Sequence, residues 1–327
     1  MIKKFFLFVI AISTLFAALV YFWAHQPIIG GEEKPVEFSI KAGSSVRSSA
    51  EQIASAGVPV NPMLLGLLAR ISGKGSRLKA GNYELKPGTT PLKLIDQLVR
   101  GEFAQEALVI IEGWTFRQMR QAIATHPALK HDTSGLSDKE LLAKITTEYT
   151  RPEGLFFPDT YLFAKGSSDL QVYKQAHALL QKRLNDAWAR RDPSLPYKSP
   201  YEALIMASIV EKETGLKAER NLIAAVFINR LKRGMLLQTD PSVIYGMGEA
   251  YQGNIRKRDL ETDTPYNTYT RVGLPPTPIS LPGAESLEAA LNPARSDALY
   301  FVSRGNGTSE FSNNLNDHNR AVNKYQR

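Results

Sequence analysis

The chain has 327 residues, of which 43% are hydrophobic and 22% charged, with 40 basic against 32 acidic side chains and a formal net charge of +8. Those proportions allow one large or two to three modest domains and exclude wholesale disorder. The absence of cysteine excludes disulfides, thiolate metal ligands and a cysteine nucleophile.

Lys3 and Lys4 precede an apolar run from Phe5 to Trp23, interrupted only by Ser13 and Thr14. Nineteen residues come close to the ~20 that cross a hydrocarbon core as a helix. Tyr21, Phe22 and Trp23 close the run, where aromatic rings favour the interface. The two lysines predict a cytoplasmic N-terminus and an exported remainder. A cleaved signal peptide is the alternative, but its apolar region is usually shorter, and His25-Gln26-Pro27 makes a poor cleavage site. Residues 1–26 are therefore read as a cytoplasmic N-terminus with a retained membrane anchor. A basic balance can serve nucleic acid, an anionic surface or solubility alone. Export and the absence of any RNP, helix-turn-helix or zinc pattern argue against nucleic acid.

Residues 27–35 carry Pro27, Gly30, Gly31 and Pro35 and read as a linker. A small α/β module over 36–104 follows. Residues 36–40 alternate as a strand should, and 81–85 form a second strand candidate. Helices are predicted over 45–56, over 62–71 with Asn61 as N-cap, and over 92–99 with Thr90 as N-cap before Pro91. From 105 to 327 a mixed α+β domain is expected. It opens with a strand over 107–111, then helices over about 116–124 and 136–148. Residues 152–163 read as turns and aromatics. An amphipathic helix is predicted over 170–190.

Ser199-Pro200-Tyr201-Glu202 has the form of a capping box and starts a helix through Leu204, Ile205, Met206, Ile209 and Val210 to Thr214, with Gly215 as its stop. Glu211 and Glu213 lie near its end, about 200° apart around the axis. Glu213 continues the row of Ile205, Met206 and Ile209, which marks it as the acid facing an apolar wall. Desolvation and the negative end of the helix would both raise its pKa, as a general acid near neutrality requires. The plain alternative is a solvated glutamate in an exposed last turn.

The next helix, from about Glu219 to Gly234, carries Asn229 and Arg230 among apolar residues, either as an ordinary polar edge or as site residues. Asp240 before Pro241 has the form of an N-cap; it could instead be a second carboxylate of a site. The stretch Thr264-Pro265-Tyr266-Asn267-Thr268-Tyr269 with Gly273-Leu274-Pro275-Pro276 is a stiff loop whose rings and amides suit sugars. Residues 299–303 and 308–311 read as a β-hairpin, and His318 lies on a C-terminal helix, as a plain polar residue or a substrate contact.

The run Ala207-Ser208-Ile209-Val210-Glu211-Lys212-Glu213-Thr214 resembles the catalytic helix of the YceG-like endolytic murein transglycosylases. Val226 to Leu231, Leu237 to Gly246, Tyr266 to Tyr269, Gly273 to Pro276 and Phe157 to Tyr161 are similar to further stretches of that family. The resemblance implies an α+β fold: an N-terminal transmembrane helix, a LysM-like peptidoglycan-binding module over 36–104 and a catalytic domain over 105–327. It implies a lyase of the inner membrane with its catalytic domain in the periplasm. That enzyme cuts the MurNAc-β-1,4-GlcNAc bond within strands, leaves 1,6-anhydroMurNAc ends and limits the length of nascent strands. Glu213 then carries the chemistry, with Glu211 as fallback. Gln238, Asp240, Tyr245, Tyr266, Asn267 and Asn229 are the expected substrate contacts. No metal or cofactor is required, and peptidoglycan synthases are implied partners. A hydrolytic muramidase pairing Glu213 with Asp240 and a non-catalytic wall-binding scaffold are the alternatives. Thr277 stands where the family usually has glycine, and Ser309 where histidine is common.

Overall fold

The computed structural model describes residues 2–326 and is mixed α+β. Two compact units divide the chain. The first runs to Glu106 and includes Leu162–Ser167, and the second holds Ala107–Tyr161 and the chain from Ser168 onward.

The first unit begins with α1 (Ile2–His25), whose most apolar stretch of 18 residues has a mean hydropathy of 2.5 and is not buried. Among the described residues it is the one helix long and apolar enough to cross a membrane. Its last turn joins the core of the unit: Ala24 is 2% exposed, and Trp23 packs against the same cluster. The stretch expected as a linker is not wholly free. Ile29 is 2% exposed, Ile28 N–H donates to Thr89 O, and Gly88 N–H donates to Ile29 O. Two isoleucines among the glycines and prolines are enough to seat it, because burying each is worth roughly 1.5–3 kcal/mol.

There follow β1 (Val36–Ile40), α2 (Val46–Ser55), α3 (Pro62–Ile71), β2 (Gly81–Leu85) and α4 (Pro91–Arg100). β1 and β2 pair antiparallel from Val36↔Leu85 to Ile40↔Gly81, so Phe38 meets Tyr83 with ring centroids 5.5 Å apart. Their alternation puts Phe38, Ile40, Tyr83 and Leu85 on one buried face, against Ile53, Leu65, Leu94, Ile95 and Leu98. The caps form as the sequence predicts: Asn61 accepts from Met63 and Leu64 N–H, and Thr90 accepts from Lys93 N–H. Gly81 has φ +149, and a Cβ there would lie 2.4 Å from the Phe103 ring, so only glycine lets that ring close the sheet end.

The chain leaves the first unit within β3 (Gln105–Val109). The strand starts two residues earlier than the apolar run 107–111 suggests and ends before Ile110. α5 (Phe116–Ala124) carries the capping box of Thr115 and Gln118, and α6 (Asp138–Ala143) is shorter than the predicted 136–148. β4 (Thr160–Ala164) falls where turns are expected; Tyr161 and Phe163 turn inward in alternation, a pattern too short to stand out beside the prolines and glycines around it.

The second unit is built on α7 (Asp169–Ala189), α8 (Pro200–Glu213) and α9 (Arg220–Lys232), with α10 (Asp240–Met247), α11 (Lys257–Glu261) and α12 (Ala284–Leu291) around them. β5 (Tyr300–Ser303) and β6 (Ser309–Ser312) form the expected antiparallel hairpin, and α13 (Leu315–Tyr325) packs on it. α8 is buried on every side from Ala203 to Val210, packed by α12, α9 and α7. Ser208 fixes it further, its Oγ accepting from Ile279 N–H. The helix stops at Glu213 because Thr214 turns to φ −143, ψ 134; the predicted stop residue, Gly215, takes no left-handed conformation. The start is half a capping box: Ser199 Oγ accepts from Glu202 N–H, but the Glu202 carboxylate accepts from Lys198 N–H instead of Ser199.

Candidate active site

Because α8 is apolar all round, the row argument does not separate its two acids, and both are shielded. Their partners separate them. The Glu211 side chain is 6% exposed and faces that of Arg220, equally buried, at 3.5 Å; its other oxygen accepts from Gly283 N–H at 3.0 Å. Arg220 also holds Glu285 at 2.7 Å. Glu211 is thus spent on an ion pair and a loop anchor.

Glu213 is half-buried and, among the described residues, in no ion pair. Its Oε1 accepts a hydrogen bond from the Thr239 hydroxyl. Burial, helped by the nearby Asp240 charge and opposed by the Thr239 bond and Arg230, pushes its carboxyl up to about 7. A carboxyl balanced there is available in both protonation states near neutrality.

Glu213 lines a cavity of about 420 Å³ together with Arg230, Gln238, Asp240, Tyr269 and His318. Thr239 opens α10 without a side-chain cap, so Asp240 is the first helical residue and not the cap that its place before Pro241 suggests. Its carboxylate accepts instead from Tyr269 Oη–H at 2.5 Å. Burial, followed by the bond to Asp240, pushes the Tyr269 phenol up, so it stays a donor. Gln238 holds φ 51, the left-handed region that non-glycine residues rarely occupy. Its N–H donates to Thr268 O, and its side-chain oxygen lies 3.4 Å from Arg230 Nη1.

Arg230 holds this loop from beneath. Nε donates to Leu299 O at 2.7 Å and Nη1 to Leu237 O at 2.8 Å, with the Tyr300 ring 5.1 Å away. Burial lowers its pKa from the ordinary range, a direction that records how little solvent reaches it. An arginine inside an apolar helix gave little sign in sequence of spanning a hairpin and a loop at once.

Of the expected substrate contacts, Gln238 and Asp240 share the cavity with Glu213 and the other four do not. Asn267 is 1% exposed; its amide donates to Leu260 O at 2.9 Å and Thr262 O at 2.7 Å, and its oxygen accepts from Tyr269 N–H. Asn229 donates to Ser296 O and Ala298 O at 2.8 and 3.0 Å. Both amides are used within the fold. Tyr245 Oη–H donates to Glu153, and its ring meets Tyr266 edge-on at 4.9 Å. Tyr266 Oη bonds Thr277 and accepts from Arg151. Thr239 and Tyr269 were the residues that sequence reasoning passed over. Their only signal was adjacency to Asp240 and membership of a tyrosine-rich loop. Asn267→Ala is expected to lower stability by about 2 kcal/mol, seen as a fall in Tm, because buried carbonyls lose their donors.

Among the described residues no cluster of histidine or carboxylate is arranged to hold a metal ion.

A model of the YceG-like family matches residues 38–324. The chain is 31% identical over 322 residues to the endolytic murein transglycosylase of Bacillus subtilis (strain 168), covering 92% of this chain and 87% of that one. It is 29% identical over 333 residues to the endolytic murein transglycosylase of Streptococcus pneumoniae serotype 2, covering 90% of this chain but 59% of that longer protein. A crystal structure of a YceG-like protein from Listeria monocytogenes superposes with a TM-score of 0.56 at 33% identity, covering 88% of this chain and 98% of the other.

Proposed function

The chain belongs to the YceG-like family, and from that premise we propose that it is an endolytic murein transglycosylase whose reaction is carried by Glu213. The observation that carries the residue assignment is a half-buried carboxyl in no ion pair among the described residues, poised near pH 7 in a cavity between α8, α10 and the β5–β6 hairpin. Its neighbour Glu211 lacks that freedom because Arg220 holds it.

Glu213, protonated, gives its proton to the oxygen leaving the muramoyl C1 as the β-1,4 bond breaks. Asp240, oriented by Tyr269, faces the positive charge that develops on the ring. Glu213, now a carboxylate, takes the proton of the muramoyl C6 hydroxyl, whose oxygen attacks C1 and closes a 1,6-anhydro ring. No water is consumed, and the acid is restored to its starting state. One carboxyl alternating between acid and base needs a pKa near the working pH, which the burial of Glu213 supplies.

The finer features belong to the same proposal. The β1–α2–α3–β2 order with its antiparallel pair supports a LysM-like, peptidoglycan-contacting role for the first unit. The apolar α1 behind Lys3 and Lys4 supports a single-pass anchor in the inner membrane with a cytoplasmic N-terminus and a periplasmic catalytic unit. That placement puts the enzyme beside newly made strands, where it would limit their length next to peptidoglycan synthases.

Digestion of purified sacculi with the full chain in detergent tests the reaction. Anhydro ends, one water lighter than reducing ends, are expected inside strands. Reducing ends would mean a hydrolytic muramidase, and binding without new ends would mean a scaffold. A second test uses pH. The acid must be protonated to start, so the rate is expected to fall above about pH 7. Thr239→Val removes a donor that favours the carboxylate, so the alkaline limb should move up by about one unit, read from the rate profile.

A further inference from the structure

His318 has no part in the reaction as derived, yet it lines the same cavity as Glu213. It stands on α13, and its ring lies against Tyr300 of β5 with centroids 5.0 Å apart and planes 23° from parallel. The two ring nitrogens differ in their surroundings. Nδ1 is buried with no hydrogen-bond partner. Among the described residues Nε2 has no hydrogen-bond partner either, and it is not one of the buried atoms, on a residue that lines the cavity.

That difference favours the tautomer with its proton on Nε2. A buried N–H without an acceptor loses a full hydrogen bond, whereas a buried bare lone pair loses less, and a nearby cation favours it. Arg230, whose guanidinium lies 5.1 Å from the Tyr300 ring, supplies that cation. Burial first and Arg230 second hold the His318 pKa below the ordinary histidine range, so the ring is neutral at pH 7. The other charged or titratable groups lining the cavity are Glu213, Asp240 and Tyr269. Asp240 is engaged by Tyr269 and Glu213 by Thr239, so neither is bonded to His318.

We propose that His318 is a substrate-binding residue that presents a fixed Nε2–H donor to an oxygen acceptor of the bound glycan, and that it is not the base of the reaction. An N-acetyl carbonyl is the strongest neutral acceptor on an amino-sugar strand, so the acetamido group is the ligand chemistry assigned to it. Tyr300 serves as the platform that holds the ring plane. The inference rests on the glycan-cleaving reading of the Glu213 cavity.

The test uses the full chain in detergent with peptide-free strands of alternating N-acetylated sugars, and binding is measured in a Glu213→Gln background so that strands stay intact. His318→Phe keeps the stack on Tyr300 and removes the donor; it is expected to weaken strand binding about tenfold, with its melting temperature checked alongside. His318→Gln places an amide N–H at a similar reach and is expected to recover most of the lost affinity. In the cleaving enzyme His318→Phe should raise KM more than it lowers kcat, His318→Gln should bring KM back toward the parent, and both should leave the pH limbs in place. Equal binding by His318→Phe and the parent, or no recovery in His318→Gln, overturns the donor. A pH limb of the parent that vanishes in His318→Gln overturns it in favour of a base. If the parent Glu213→Gln chain does not bind strands at all, the reading of the cavity itself fails, a result distinct from a loss confined to the His318 variants.

Discussion

Glu213→Gln is expected to lower glycan cleavage by about 10²- to 10⁴-fold, the range that a positioned general acid contributes, while leaving the fold in place and making it more stable at alkaline pH. The amide oxygen can still accept from Thr239, so the loop around α10 keeps its anchor. The stability gain follows from linkage. The Glu213 carboxyl sits at about 7 in the native protein against an ordinary 4.5, so the folded state holds its proton more tightly than the unfolded chain. The native state is therefore favoured fully below about pH 4.5, loses that advantage as pH rises, and has lost it above about 7. A shift of that size corresponds to up to about 3 kcal/mol. Denaturation curves of the parent and Glu213→Gln should run parallel in acid and separate between pH 4.5 and 7. Glu153, 7% exposed and also pushed up to about 7 by burial, acts in the same direction and window in both proteins. The parent should thus lose stability across that interval by more than Glu213 alone accounts for. Unchanged cleavage by Glu213→Gln would remove it from the chemistry. A variant no more stable than the parent at pH 8 would mean that water reaches the carboxyl more freely than its burial implies.

Arg220→Met is expected to destabilise the second unit by roughly 3–5 kcal/mol, the usual consequence of leaving a buried charge without its partner. The Glu211 side chain, 6% exposed, would face an apolar one, and Glu285 would keep Lys217. The loss is read as a fall in the denaturant midpoint. Adding Glu211→Gln to Arg220→Met should recover much of it, because the orphaned charge is then gone. This pair of variants also separates the two glutamates of α8. Glu211→Gln alone should lower stability and keep the cleavage chemistry, the opposite of Glu213→Gln. Cleavage that vanished in a folded Glu211→Gln chain would transfer the acid to Glu211.

The two acids illustrate how far helix geometry reaches in a single sequence. The ~200° between them was legible, and so was an apolar row behind Glu213. What the row could not show is that every face of α8 is covered, so that both acids are shielded and neither is an exposed last-turn residue. The distinction lies in Arg220, brought to Glu211 by the turn into α9, and in Thr239, brought to Glu213 from the start of α10. The substrate loop shows the same limit. Tyr266, Asn267 and Tyr269 share a composition suited to sugars, yet only Tyr269 lines the cavity, while Asn267 fastens the loop to its own carbonyls.

The sequence by itself determined the apolar N-terminal helix, the alternation of β1 and β2, the caps at Asn61 and Thr90, and the hairpin near the C-terminus. Each of these is set by residues within a few positions of one another, through side-chain periodicity or a hydrogen bond to a neighbouring amide. The tertiary structure alone decided β4, the burial of α8, the left-handed turn at Gln238, the bridging by Arg230 and the free face of His318. These depend on segments tens of residues apart meeting in one place, where burial and the choice of partner, not residue type, decide whether a polar group is spent on the fold or left available for chemistry.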